Sequence, residues 1–114
     1  MITFACKKIR LEEIVKCSFN LNKTEYDILM FLFGKEKEFD IQNLSKKIGL
    51  ERTTVQKALK GLLNKKLAGR RPVNIKSGGY FFLYNVKNKE EIKERLLKII
   101  KQWYKGAEEE ILKA

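Results

Sequence analysis

Histidine is absent from this 114-residue chain, and proline occurs once. Without histidine, a zinc site would have to be built from thiolates, and Cys6 and Cys17 are too few and too distant for one. They read as reduced core thiols rather than a disulfide. No apolar run approaches the roughly 20 residues that span a bilayer, and the longest, Ile28 to Phe33, is bracketed by polar or charged residues. Met1 to Lys8 lacks the apolar stretch of a secretory signal. The expectation is a cytoplasmic protein with no membrane partner. The chain also lacks a glycine-rich phosphate loop and paired carboxylates near a serine or cysteine nucleophile. No catalytic residue, metal ligand or cofactor is therefore expected, and the chain reads as a non-enzyme.

Negative charge is missing from one stretch in particular. The formal net charge is +11, and it is unevenly placed. Residues 1–19 carry +2, residues 20–50 carry 0, residues 51–87 carry +8 and residues 88–114 carry +1. Glu51 is the single acidic residue in the third stretch. A solvated surface mixes both signs, whereas a surface that meets a polyanion does not. With 44% hydrophobic residues and this length, the chain should fold as one domain of ordinary size.

Periodicity and capping signals divide the chain into helices and one hairpin. Residues 9–18 predict a first helix. Asn22 and Glu25 predict a capping box opening a second helix that ends at Gly34. Lys35 to Phe39 reads as a charged loop. Asp40 caps a short third helix with Ile41, Leu44 and Ile48 on one face, and Gly49 stops it. A short turn leads to a fourth helix, about Arg52 to Lys65. Helix, glycine-containing turn, helix is the layout of a DNA-reading pair. Leu67 to Ile75 and Gly79 to Val86 then read as two strands joined by a turn, with Pro72 marking the first as an edge or interrupted strand. A last helix opens at Asn88, with Glu91 in a second capping-box spacing, and runs to about Leu112.

On a helical wheel the fourth helix turns Val55, Ala58, Leu59 and Leu62 to the core. The opposite side carries Thr53, Lys57, Lys60 and Asn64, with Gln56 on its shoulder and Arg52 and Thr54 in the first turn. Lysine and arginine donate to phosphates and to guanine, glutamine can pair with adenine, and threonine can touch a thymine methyl. Gly61 sits in the helix interior at a cost of about 1 kcal/mol. Close packing and close approach of backbone to DNA both account for it. Arg70 and Arg71 on the first wing strand and Lys76 at the tip are placed to reach phosphates or the minor groove. Tyr80, Phe82 and Tyr84 alternate with Phe81 and Leu83, so one aromatic face is expected in the core; the alternative is a stacking platform for single strands.

The last helix carries Ile92, Leu96, Ile99 and Trp103 on one row and Leu97, Ile100, Tyr104, Ala107 and Ile111 on the next. That face is wider and longer than a small domain covers by itself, which predicts a partner helix, most simply in a twofold homodimer. The expected interface is Ile92, Leu96, Ile99, Ile100, Trp103, Tyr104, Ala107 and Ile111. The expected architecture is α+β, a winged helix-turn-helix with a long C-terminal dimerisation helix. Residues 1–19 form a helix that joins the interface, 20–87 the winged domain, and 88–114 the dimerisation helix.

Three runs of residues are similar to a known family. Leu21 to Leu32, Ile48 to Leu59, and Val73-Asn74-Ile75 followed by Gly78-Gly79-Tyr80 and Tyr84 resemble archaeal TrmB-like regulators, relatives of the MarR-type winged helices. The final helix with Trp103-Tyr104 resembles theirs too. The resemblance covers about residues 20–105 and implies a DNA-binding transcriptional regulator that dimerises through its terminal helices. Larger members add a C-terminal sugar-binding domain, and the chain is expected to be a short form without it. The expected partners are double-stranded DNA and a second copy, with no effector assigned. The competing reading is a winged-helix protein-interaction module of transcription or other nucleic-acid machinery; RNA also fits phosphate attraction alone.

Overall fold

The computed structural model describes residues 2–114. A two-residue ribbon of β1 (Ile2–Thr3) and β2 (Lys8–Ile9) precedes four helices, α1 (Leu11–Phe19), α2 (Lys23–Phe33), α3 (Ile41–Ile48) and α4 (Arg52–Asn64). An antiparallel hairpin follows, β3 (Ala68–Asn74) and β4 (Tyr80–Val86), and then α5 (Lys89–Lys113).

Local chemistry explains most boundaries. The Asn22 side chain accepts from the Glu25 N–H at 2.8 Å, and the Glu25 carboxylate accepts from the Asn22 N–H at 3.0 Å, which closes a reciprocal cap on α2. Asp40 accepts from the Asn43 N–H at 2.7 Å and starts α3. Gly49 ends α3 at φ +79°, a left-handed conformation that a side chain would strain. The cap of α5 is one-sided. Asn88 accepts from the Glu90 and Glu91 N–H groups at 3.0 and 3.2 Å, and among the described residues its own N–H gains no return bond from Glu91.

One core joins these elements. Ile28, Leu29 and Leu32 of α2, Leu44 of α3, and Val55, Leu59 and Leu62 of α4 are sealed from solvent together with Leu67. Val15 and Phe19 of α1, Tyr84 of β4 and Ile92 of α5 complete it. The loop before α3 contributes more than the charged connection read from its sequence. Phe39 pairs with Tyr84 through both backbone bonds, at 3.0 and 2.8 Å. The wing therefore has β4 in the middle, with β3 and Phe39 on its flanks. Pro72 lies opposite Phe82 on the outer strand, where the missing N–H costs no ladder bond, and β3 is continuous through it.

Three expectations about these elements need correction. Ile9 belongs to β2, and α1 begins two residues later. Cys6 and Cys17 are both exposed rather than core thiols. The aromatic face of β4 is graded: Tyr84 is buried, Phe82 half-buried and Tyr80 exposed, because the hairpin runs outward beyond the core. The result is a winged helix-turn-helix with a long C-terminal helix.

That helix leaves the domain. Ile92 is buried, and Leu96 and Ile99 pack partly on the core. Beyond them α5 continues straight, and the molecule measures 67 × 23 × 22 Å with a radius of gyration of 17.5 Å. A compact domain of this length would have a radius near ~13 Å.

Candidate nucleic-acid interface

The position of α4 is set by a buried carboxylate. Glu25 is 6% exposed, at the contact between α2 and α4. A Cβ on Gly61 would collide with the Glu25 Oε2 and lie 3.1 Å from its Cδ. Gly61 is therefore there for close packing, which settles the two readings left open by its position. Lys65, at the end of α4, donates to both Glu25 oxygens at 3.3 and 3.4 Å and to the Asn20 carbonyl at 2.7 Å. Lys66 then turns the chain at φ +59° without being glycine. Its carbonyl and that of Lys65 each accept a 3.0 Å bond from Arg95 of α5. The Arg95 guanidinium also lies over the Phe19 ring, 5.0 Å from its centroid. Glu25 and Lys65 thus tie the end of α4 to α2, and Arg95 ties the turn that follows it to α5.

With its buried side fixed, α4 presents Arg52, Thr53, Thr54, Gln56, Lys57 and Lys60 to solvent. Thr53, Lys57, Lys60 and Asn64 follow 4-3-4 spacing and so share one face. No carboxylate lies on α4 from Arg52 to Asn64. The helix N-terminus adds partial positive charge at the same end as Arg52.

The hairpin separates the two adjacent arginines. Successive side chains on a strand point to opposite faces. Arg70 pairs with Tyr84 and lays its guanidinium on the Phe82 ring, 4.1 Å from the centroid. That face borders a cleft of about 410 Å³ lined by Asp40 and Gln42 at the start of α3, Arg52 at the start of α4, and Phe82 and Tyr84 of β4. Arg71 lies on the other face and is claimed by Glu38, whose two oxygens accept from its Nε at 3.0 and 2.8 Å. These bonds hold the Glu38 carboxyl below the usual carboxylate range and push Arg71 further up. A carboxyl depressed in the folded state adds stability that is lost only as pH falls through that lowered value, so the tether is intact at neutral pH. Arg71 is thus paired with Glu38 through its Nε, while its side chain stays 59% exposed. Lys76 is exposed at the tip, beside Gly78 and Gly79, both at positive φ.

Of the expected contact residues, Arg52 shares the cleft with Phe82, on whose ring Arg70 stacks, the outward row of α4 is exposed, and Arg71 lies on the other strand face. Gln42 was missed. It sits in the first turn of α3, beside Arg52 in the cleft, and its only sequence signal is its place two residues after the Asp40 cap.

Residues 10–107 match the DnaD N-terminal domain. The chain belongs to the DnaD N-terminal domain family. Among relatives of this DnaD N-terminal domain chain, the uncharacterized protein MJ1503 of Methanocaldococcus jannaschii is 31% identical over 102 residues, 86% of this chain and 74% of its own length. A solved structure from Methanosarcina mazei Go1, described as a "possible transcriptional regulator", is 32% identical, with TM-score 0.85, covering 99% of this chain and 95% of that one. The Staphylococcus aureus MarR structure shares the fold at TM-score 0.55 and 17% identity, over 88% of this chain and 65% of its own. The DnaD N-terminal domain fold here is thus the winged helix-turn-helix found in MarR-type regulators. No described helix is long and apolar enough to cross a membrane.

On α5, the expected interface divides. Ile92 is 3% exposed and belongs to the domain's own core, so it is withdrawn from the interface. Leu96 and Ile99 are half-buried on that core. Ile100, Trp103, Tyr104 and Ile111 are exposed, with Trp103 at 64% and Ile111 at 72%, and Ala107 is intermediate.

Proposed function

We propose that the chain is a sequence-specific double-stranded DNA-binding transcriptional regulator that acts as a homodimer. In this reading α4 enters the major groove and the wing lies on the backbone or in the minor groove. The observation that carries it is the outward face of α4, where every exposed side chain is cationic or neutral and the flanking wing adds Arg70 and Lys76. Thr53, Thr54, Gln56, Lys57 and Lys60 are the candidate base and phosphate contacts, with Arg52 at the groove edge. The kinship with TrmB-like regulators, on the runs quoted above, belongs to this proposal, as do action in the cytoplasm and the absence of an enzymatic step.

The test is binding to duplex DNA selected from a genomic pool, titrated at several salt concentrations. If about six phosphates are neutralised per dimer, log K falls against log salt with a slope of about −5. Affinity indifferent to salt would remove the phosphate contacts on which the reading depends. The wing gives a second expected result. Arg70→Ala weakens binding about fivefold per site, the worth of one phosphate contact at 0.15 M salt. Arg71→Ala changes it by less than about twofold, because Glu38 already neutralises that guanidinium. Equal losses for the two variants would show that the Glu38 tether opens on DNA.

A further inference from the structure

The part of α5 that leaves the domain carries a second pattern. Leu97, Ile100, Tyr104, Ala107 and Ile111 follow 3-4-3-4 spacing, the seam of a two-stranded coiled coil. Among the described residues nothing covers the seam: Leu97 is 58% and Tyr104 61% exposed. It borders an apolar groove of about 550 Å³, formed where α1 and the N-terminal ribbon approach α5. Ile2, Phe4, Ile14, Cys17, Ile100 and Trp103 line most of it.

We infer that two copies pair through this seam as an antiparallel coiled coil, in the register that sets Ile100 opposite Ile111 and Tyr104 opposite Ala107 of the second copy. This rests on the homodimer of the proposed function and assigns its geometry. Charge selects the direction. Lys101 and Glu108 occupy equivalent positions on one flank of the seam, seven residues apart, and both are exposed. In an antiparallel pair like flanks meet, so Lys101 faces Glu108 of the second copy, twice by symmetry. In a parallel pair that flank meets the opposite one, which holds Leu96, Trp103 and Glu110 in place of the complementary charges. Charge also selects the register, since a slip of one heptad sets Lys101 against its own copy. In the favoured register large Tyr104 covers small Ala107, and Ile111 of each copy reaches the mouth of the other's apolar groove beside Ile100.

The arrangement also places the reading helices. The twofold axis crosses α5 between Lys105 and Gly106. The anchored stretch, Ile92 to Ile99, is centred about ten residues away, or ~15 Å at 1.5 Å per residue. The two domains therefore sit ~30 Å apart along the helix pair, on the scale of the ~34 Å between successive major grooves. A parallel pair would put both at one end.

Disulfide trapping tests the pairing in the full chain, with Cys6→Ser and Cys17→Ser to silence the native thiols. Chains carrying Ile100→Cys and chains carrying Ile111→Cys are oxidised separately and after mixing. The mixture is expected to give a linked two-chain product several-fold above either chain alone, since like thiols would lie ~16 Å apart, beyond the ~7 Å between Cα atoms that a disulfide spans. Linking by the Ile111→Cys chain alone would show parallel pairing and overturn the inference. A dimer by sedimentation that fails to link in the mixture would place the interface elsewhere and also overturn it. A monomer by sedimentation would remove the homodimer itself, leaving DNA binding by the single domain to be judged by titration. As an independent check, Lys101→Glu is expected to weaken the dimer about tenfold, and adding Glu108→Lys to restore it. Equal weakening by the single and double variants would count against the assigned contact.

Discussion

Replacing Lys57 and Lys60 together by alanine is expected to weaken duplex binding about a thousandfold at 0.15 M salt, with no comparable loss of stability. Both side chains are exposed on the face of α4 opposite Val55, Leu59 and Leu62. Surface changes away from caps and cores typically alter stability by less than ~0.5 kcal/mol. On DNA, each neutralised phosphate is worth about fivefold at this salt, and a dimer would lose four such contacts. The salt slope should fall with them, from about −5 to about −1.5. Fluorescence anisotropy at several salt concentrations, with thermal melts as a control, separates the two effects. An unchanged slope would mean that α4 does not face phosphates.

Gly61→Ala is expected to destabilise the domain by about 1–3 kcal/mol, the usual range for overpacking a close contact. The sign is the informative part. At an unconstrained interior helical position, alanine is favoured over glycine by about 1 kcal/mol. Here the added methyl meets the Glu25 carboxylate. That carboxylate cannot swing aside without giving up its bonds to the Asn22 N–H and to Lys65. Glu25→Ala alone should also destabilise, because it opens the cap of α2 and leaves Lys65 with the Asn20 carbonyl only. The double variant should be less damaged than the sum of the two, with a coupling of about 1 kcal/mol or more in denaturant titrations. Strict additivity would mean that the α2–α4 contact relaxes freely around the new methyl.

Both results depend on features with different visibility in the sequence. Asn22 with Glu25, Asp40 with Gly49, and Asn88 were legible because capping is local, fixed within four residues by one side chain and one or two backbone groups. The outward face of α4 was legible for a similar reason, since a single helical period sorts Val55, Leu59 and Leu62 from Lys57 and Lys60. The N-terminal ribbon was not, because two residues per strand give no alternation to detect. The pairing of Phe39 with Tyr84 spans 45 residues of chain and involves one residue of a loop whose composition signals only charge. Glu38 and Arg71 lie in segments read separately, so their mutual neutralisation had no local sign. Ile92 was assigned to the wrong surface because periodicity shows that a helical face is apolar, and only the fold shows which stretch of it already has a neighbour. Gly61 is the middle case: its oddity was plain in the sequence, and its reason lay across the core in Glu25.

The bonds from Arg95 to the Lys65 and Lys66 carbonyls, just past the end of α4, have a geometric corollary. They tie the domain to the long helix near the start of that helix. Ile111 and Leu112 lie about 25 Å beyond the Arg95 contact at 1.5 Å per residue. A rotation of ten degrees about it sweeps the far tip through ~4 Å, close to the spacing between neighbouring strands of a sheet. Holding that tip to within ~4 Å would therefore limit tilting about the Arg95 contact to roughly ten degrees.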